Sequence, residues 1–145
     1  IQQKNYDKAK QTLKMATTVN PNYSKGYANL GVIYSEEENW NQAISSLEMA
    51  VALNERDAMS YFRLSGAHNM NGSCDEAVIA ARKSTELKNR FGGAWFELGI
   101  AEWCNGSGNK AGALNAFEKA RGDRSWRKMA EYEIDKIKNP QKYVK

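Results

Sequence analysis

A period of 34 residues constrains this chain more than any other feature of its sequence. Three kinds of residue recur at that spacing: an aromatic residue, a leucine three positions later, and a small residue directly after the leucine. The copies are Tyr27, Tyr61 and Trp95, then Leu30, Leu64 and Leu98, then Gly31, Ser65 and Gly99. Self-similarity at a fixed period of this length is typical of stacked supersecondary units that cannot bury their apolar faces alone.

The second half of each period repeats as well. Its copies are Tyr6, Trp40 and Cys74, then Ala9, Ala43 and Ala77, then Ala16, Ala50 and Ser84. The last copy is longer by two residues, since Ala77 is followed by Ala113. The surplus falls in the glycine-rich stretch 104–112, CNGSGNKAG, where an insertion costs little because loop-closure entropy grows slowly with length.

Each half of the period has the pattern of an amphipathic helix. Tyr27, Leu30 and Tyr34 lie at i, i+3 and i+7 on one face. Small residues such as Gly31 and Ala43 would let two such helices pack closely. With two prolines and few β-branched runs, an all-helical chain is favoured over a sheet. The pattern predicts helices over residues 5–19, 24–37, 40–54, 58–71, 74–88, 92–105, 109–121 and 125–138.

This order of residues resembles the tetratricopeptide repeat, and residues 24–57 match it best. The matching residues there are Tyr27, Leu30, Gly31, Tyr34, Trp40, Ala43, Leu47 and Ala50. The resemblance implies an all-α, right-handed α-solenoid of antiparallel helix pairs, closed by a C-terminal capping helix.

The same resemblance divides the chain into one domain of successive units. Unit I is the second half of a repeat (1–23), unit II covers 24–57, unit III covers 58–91, and unit IV covers 92–124 with the two-residue insertion. A capping helix (125–138) and a tail (139–145) follow.

No constellation of residues in the sequence suggests catalysis, a cofactor or a metal. The single histidine, His68, stands where unit II has Tyr34, so we expect a packing residue there. Cys74 and Cys104 do not form a metal-ligand pattern and are expected to be free thiols, which fits a reducing compartment. We find no Ser-His-Asp set and no glycine-rich phosphate loop. The sequence therefore predicts a protein that is not an enzyme.

The net charge of +4 is concentrated at one end. Residues 121–145 hold eight Lys/Arg and four Asp/Glu, and the repeats before them are neutral. Interleaved acids favour a solvated end helix over a nucleic-acid or membrane arm. No apolar run approaches the ~20 residues that cross a bilayer, so membrane insertion is not expected. The chain begins in mid-pattern, like a fragment. This leaves the compartment open: cytoplasmic by default, with a periplasmic or complex-associated location as alternatives.

The resemblance also implies where a partner binds. In this family the first helix of each unit lines a concave groove, and positions 2, 5, 6, 9, 12 and 13 of the unit point into it. A protein–protein interaction scaffold, binding a peptide or helical segment there, is the expected function. The candidate groove residues are Asn29, Met59, Phe62, Arg63, Met70, Phe96, Glu97, Ile100 and Trp103.

Three other functions have less support in the sequence than peptide binding in the groove. A family subset grips a partner's terminal carboxylate, and Asn29 and Arg63 match it, but Met59 stands where a lysine is needed. Self-association, or assembly into a larger complex through the open N-terminal edge, is the alternative to groove binding. RNA binding is disfavoured by the near-neutral repeats.

Overall fold

The computed structural model describes residues 2–145, and within that range the chain forms eight α-helices and no strand. They are α1 (Gln2–Val19), α2 (Ser24–Glu36), α3 (Trp40–Leu53), α4 (Ala58–Met70), α5 (Cys74–Leu87), α6 (Gly92–Trp103), α7 (Lys110–Arg121) and α8 (Arg127–Lys138). Short 3-10 turns follow α6, at Cys104–Gly106, and α8, at Pro140–Lys142. This confirms the predicted all-α class.

The helices pack as a succession of pairs. α2 lies on α3, α4 on α5, and α6 on α7, while α1, α3, α5 and α7 each also contact the helix that follows. The first helices of the units also touch one another, α2 with α4 and α4 with α6. This is the stacking that buries one continuous core in a solenoid.

Small residues hold the two helices of a unit close together. A Cβ atom added to Gly31 would overlap the Leu47 side chain, and one added to Gly99 would lie 2.6 Å from the Phe117 ring. Ser65 occupies the same position in unit III, where it is fully buried and its Oγ donates to the carbonyl oxygen of Ala77 at 3.1 Å. The period in small residues therefore reflects a steric requirement.

The helix α8 continues the repeat register. Ala130, Ile134 and Ile137 are buried, and they follow the buried residues Ala94, Leu98 and Ala101 of α6 at a constant 36 positions. The face that a partner helix would cover carries Glu131, Asp135 and Lys138 instead. The tail folds back over this face, where the Tyr143 hydroxyl donates to Asp135 Oδ2 at 2.6 Å. That hydrogen bond raises the pKa of Tyr143 to about 12 and lowers the pKa of Asp135.

The expectation of free thiols is wrong. Cys74 and Cys104 form a disulfide with their Cα atoms 5.7 Å apart. Cys74 opens α5 and Cys104 follows α6, so the bond joins unit III to unit IV. Trp40 and Met70 have the same separation of 30 residues one repeat earlier and line one cavity together. The repeat geometry therefore brings these two positions together, and the argument for a reducing compartment no longer applies.

Candidate functional site

The face formed by α2, α4 and α6 contains a cavity of about 280 Å³ between units II and III. Its apolar wall is formed by Val32, Trp40, Ala67 and Met70. Met70 is 64% exposed, which is unusual for a long apolar side chain in a packed helix. We call this cavity the II–III pocket.

Arg63 and Glu97 both line the II–III pocket, but they differ in their surroundings. Arg63 is half-buried and takes part in no ion pair among the described residues. Glu97 Oε2 accepts a hydrogen bond of 2.7 Å from Asn69 Nδ2. Burial raises the pKa of Glu97, and the bond from Asn69 offsets part of that effect. Arg63 is therefore the cation left free to bind another molecule, and among residues 2–145 the exposed Glu36 is an unpaired acid in the same lining.

The pocket exists because position 9 of unit III is a glycine. A Cβ atom built on Gly66 would lie 3.4 Å from Glu97 Oε1, in ordinary contact. The corresponding position of unit IV is Ile100, which is half-buried and packs against the C-terminal core. The absence of a side chain at Gly66 thus opens a space that a branched side chain would fill.

Phe62 belongs to an aromatic cluster rather than to the pocket. Its ring centroid lies 4.9 Å from that of Phe91 and 5.9 Å from that of Trp126, both edge to face. Such edge-to-face pairs are favourable because the positive edge of one ring meets the negative face of another. Phe62 remains half-buried, so one part of its ring is still accessible.

The groove candidates on α6 lie deeper than those on α4. Phe96 is only 8% exposed and packs between Phe117 and Trp126, with ring centroids 5.4 and 5.3 Å away. Ile100 and Trp103 are partly buried against the same C-terminal cluster. These three residues form the floor of the groove more than its accessible surface.

The remaining candidates, Asn29 and Met59, are exposed and half-buried respectively, and neither lines the II–III pocket. The structure thus brings together Arg63, Met70 and Glu97 and leaves the other six candidates outside that cavity. Trp40 was missed because its position in the repeat is associated with the packing of helix pairs. Val32 and Gly66 do stand at groove positions, but neither has a side chain that signals binding.

Among residues 2–145 no group of His, Cys, Asp or Glu is arranged to hold a metal ion. None of the helices in that range is both long and apolar enough to cross a membrane.

The comparison with protein families found a match to the tetratricopeptide repeat over residues 24–57. No curated protein sequence matches the chain.

Solved structures with the same fold cover most of the chain. A crystal structure of MamA is 24% identical and superimposes with a TM-score of 0.86 over 97% of this chain and 81% of that one. The tetratricopeptide domain of Arabidopsis OM64 is 18% identical, with a TM-score of 0.73 over 79% of this chain and 93% of that one. The TPR2B domain of yeast Sti1, solved as a complex with pHsp70, is 22% identical, with a TM-score of 0.68 over 79% of this chain and 91% of that one.

At these identities the superpositions establish the fold, and the family match assigns unit II in sequence. The 34-residue register repeats the pattern of unit II in the neighbouring units. The chain therefore has the fold of the solved tetratricopeptide domains, and its residues 24–57 match the tetratricopeptide repeat in sequence.

Proposed function

We propose that this chain is a protein-interaction scaffold that binds a peptide or helical segment of a partner in its concave groove. The observation that carries the proposal is the II–III pocket, which combines an exposed Met70, an apolar wall and the unpaired cation of Arg63. Two neighbours of the same fold are complexes, of Sti1 domains with pHsp70 and with pHSP90, so this architecture can hold a peptide.

The two kinds of group would act differently on the partner. An apolar side chain entering between Trp40 and Met70 would supply most of the affinity by leaving water, and the flexible thioether of Met70 adapts to its shape. Arg63 would fix orientation by pairing with a carboxylate, either of an acidic side chain or of a chain terminus. Glu97 is already engaged by Asn69, so a partner's base is not part of the proposal.

The test is a pull-down in which the groove is altered by charge. Arg63→Glu combined with Met70→Glu should remove proteins that the unaltered chain captures, as quantified by mass spectrometry. The matched control is Ile79→Glu, which places a charge on an exposed apolar residue of α5 outside the groove positions. Both variants should keep their helical dichroism, because the side chains replaced are exposed or half-buried.

Two outcomes contradict groove binding. If the groove variant and the control lose the same proteins, the loss comes from general damage. If the groove variant keeps every partner, binding lies on another surface.

A second candidate function is self-association through the N-terminal edge, and a specific observation favours it. Ala9 and Leu13 of α1 line a cavity of about 430 Å³ and are partly exposed. Their equivalents in unit II, Ala43 and Leu47, are fully buried by the first helix of their own unit. If the chain self-associates there, Leu13→Glu should lower its mass in analytical ultracentrifugation. If the unaltered chain is already a monomer, this candidate is excluded.

A further inference from the structure

Helix α8 is more than a polar cap, because its exposed apolar residues are confined to one side. On the face where a second helix would pack it carries charged residues, and on the core side it buries Ala130 and Ile134. Met129 and Tyr132, 50% and 52% exposed, stand at the register positions that face the groove in the preceding units. A helix that only solvated the end of the solenoid would carry polar residues there as well.

These two residues line a second cavity. Together with Phe96, Lys128 and Glu133 they line an open cavity of about 380 Å³ between α6 and α8. We call it the α8 pocket. Its floor is Phe96, which is held from behind by Phe117 and Trp126. Tyr132 is held in place by Tyr143, whose ring centroid is 5.4 Å away in an edge-to-face arrangement. The pocket is therefore preformed, which lowers the entropy lost on binding.

The charges of the α8 pocket favour an acidic occupant. Glu133 is paired with Lys136 at 2.8 Å, so its charge is already matched within the chain. Lys128 takes part in no ion pair among residues 2–145. The II–III pocket also holds an unpaired cation, Arg63, while the carboxylate of Glu97 is buried against Asn69. It differs in that Glu36 adds an unpaired acid to its lining, so the preference for an acidic residue is stronger at the α8 pocket.

We propose that the α8 pocket is a second anchor site, and that the partner is an acidic protein segment with two apolar side chains, one for each pocket. This inference rests on the proposed groove function and specifies its partner. Neighbouring helices lie about 8–10 Å apart, so two pockets separated by two helix spacings are roughly 16–20 Å apart. An extended chain advances about 3.3 Å per residue, which sets the two anchors about five or six residues apart. A carboxylate next to each anchor would meet Arg63 and Lys128.

The experiment uses a phage-displayed library of random 12-residue peptides, selected on the immobilised chain. The enriched peptides should share two apolar residues at that spacing, with acids beside them. The most enriched peptide is then synthesised, and its Kd is measured by fluorescence anisotropy. Met129→Ser with Tyr132→Ser should raise the Kd at least tenfold, since a buried anchor carries a large share of the binding free energy. Ile79→Ser replaces an apolar residue of α5 that is 70% exposed, and it should leave the Kd unchanged.

A charge reversal tests whether Lys128 pairs with a carboxylate of the partner. Lys128→Glu should raise the Kd of the peptide severalfold and reduce the salt dependence of its binding. Lys138→Glu is the matched control, because it lies on the same helix among the charged residues that face away from the groove. Neither variant alters a buried side chain, so both should retain the dichroism and melting temperature of the parent.

The outcomes separate this inference from the broader function. If Arg63→Glu abolishes peptide binding while the Met129/Tyr132 variant does not, groove binding stands and the α8 anchor is overturned. If neither variant affects the peptide, or if the library yields no enriched peptide, both fail. If the chain sediments as a dimer that the Met129/Tyr132 variant dissociates, the occupant is a second copy and the inference is overturned.

Discussion

The contact of unit II with unit III and the contact of unit III with unit IV share one backbone plan but differ in what fills them. In the first, Gly66 leaves space and the pair Trp40 and Met70 lines a cavity of about 280 Å³. In the second, the corresponding positions hold Ile100 and the disulfide between Cys74 and Cys104.

The hydrogen bonds at position 12 also differ between the two contacts. Ser35, at position 12 of unit II, donates its hydroxyl to the carbonyl oxygen of Gly31 in its own helix at 2.8 Å. Asn69, at the same position of unit III, instead crosses to Glu97 of the next unit. The repeat therefore fixes where helices lie, and a few residues at positions 9, 12, 13 and 17 decide whether a contact between units is open to a partner or closed.

Removing the disulfide from the contact between units III and IV should change stability more than any other variant proposed for the two contacts. Cys74→Ser with Cys104→Ser should lower the free energy of unfolding by about 3 kcal/mol, because a cross-link limits the freedom of the unfolded chain. Urea denaturation with and without reductant measures the effect. The serine variant is the control, since reductant should not change it. Reactive thiols in the unreduced parent protein, together with no response to reductant, would contradict the disulfide.

Transferring the disulfide to the open contact should close it. Trp40 and Met70 stand at the repeat positions that Cys74 and Cys104 occupy one unit later. Trp40→Cys with Met70→Cys should therefore oxidise to a second disulfide. The readout is the loss of free thiols and a fall in the urea midpoint on reduction that is larger than the fall in the parent protein, which loses only the Cys74–Cys104 bond. Trp40→Cys alone is the control and should keep one free thiol. Persistence of two free thiols under oxidising conditions would show that the two contacts differ in backbone geometry.

Filling the pocket without a cross-link separates binding from stability. Gly66→Ile copies Ile100 and should weaken binding of a groove peptide at least tenfold while leaving stability unchanged or raising it by about 0.5 kcal/mol, because glycine is a poor helix former. The matched variant Gly31→Ile is expected to behave oppositely. Its added atoms would overlap Leu47 and cost about 1–3 kcal/mol or more. Equal loss of stability in the two variants would mean that Gly66 is also a packing contact.

The smallest expected effect concerns position 11, which is Tyr34 in unit II and His68 in unit III. Burial lowers the pKa of His68, although Glu48 and Glu76 act in the other direction, and its Nδ1 has no hydrogen-bond partner. The unfolded chain then binds the proton more readily than the folded one below about pH 6.5. Stability should therefore fall as the pH drops from 7 to 5, by about 1.4 kcal/mol for each unit that the pKa is lowered.

His68→Tyr, which copies unit II, supplies the comparison for that pH dependence. Urea midpoints measured at pH 7 and pH 5 should converge in the variant, whatever its absolute stability. If the variant keeps the full difference between the two pH values, another group is responsible for it.

The sequence predicted most helix ends to within two residues, and the reason is local. Apolar periodicity, small residues at the helix contact and turn residues all act within one unit, so the prediction of 74–88 compares with α5 at Cys74–Leu87. The start of α1 was missed by three residues because the polar stretch before Asn5 carries no apolar period. The start of α8 was placed two residues early, at Ser125, whereas the helix begins at Arg127.

The candidate site was predicted less completely, because its properties arise between units. Phe96 was expected to be accessible, but it is only 8% exposed because Phe117 and Trp126 pack against it. Glu97 was expected to face a partner, and Asn69 of the preceding unit engages it instead. The disulfide was missed because its partners are 30 residues apart in different units.

By itself the sequence determined the repeat and the all-α class, since these follow from periods of 3.6 and 34 residues, whereas the groove positions came from the family resemblance. Only the tertiary structure decided which groove positions are open. That depends on contacts between side chains one or two units apart, such as Gly66 with Glu97 and Cys74 with Cys104. Such contacts follow from the stacking of neighbouring units, and stacking brings together residues that no local pattern connects.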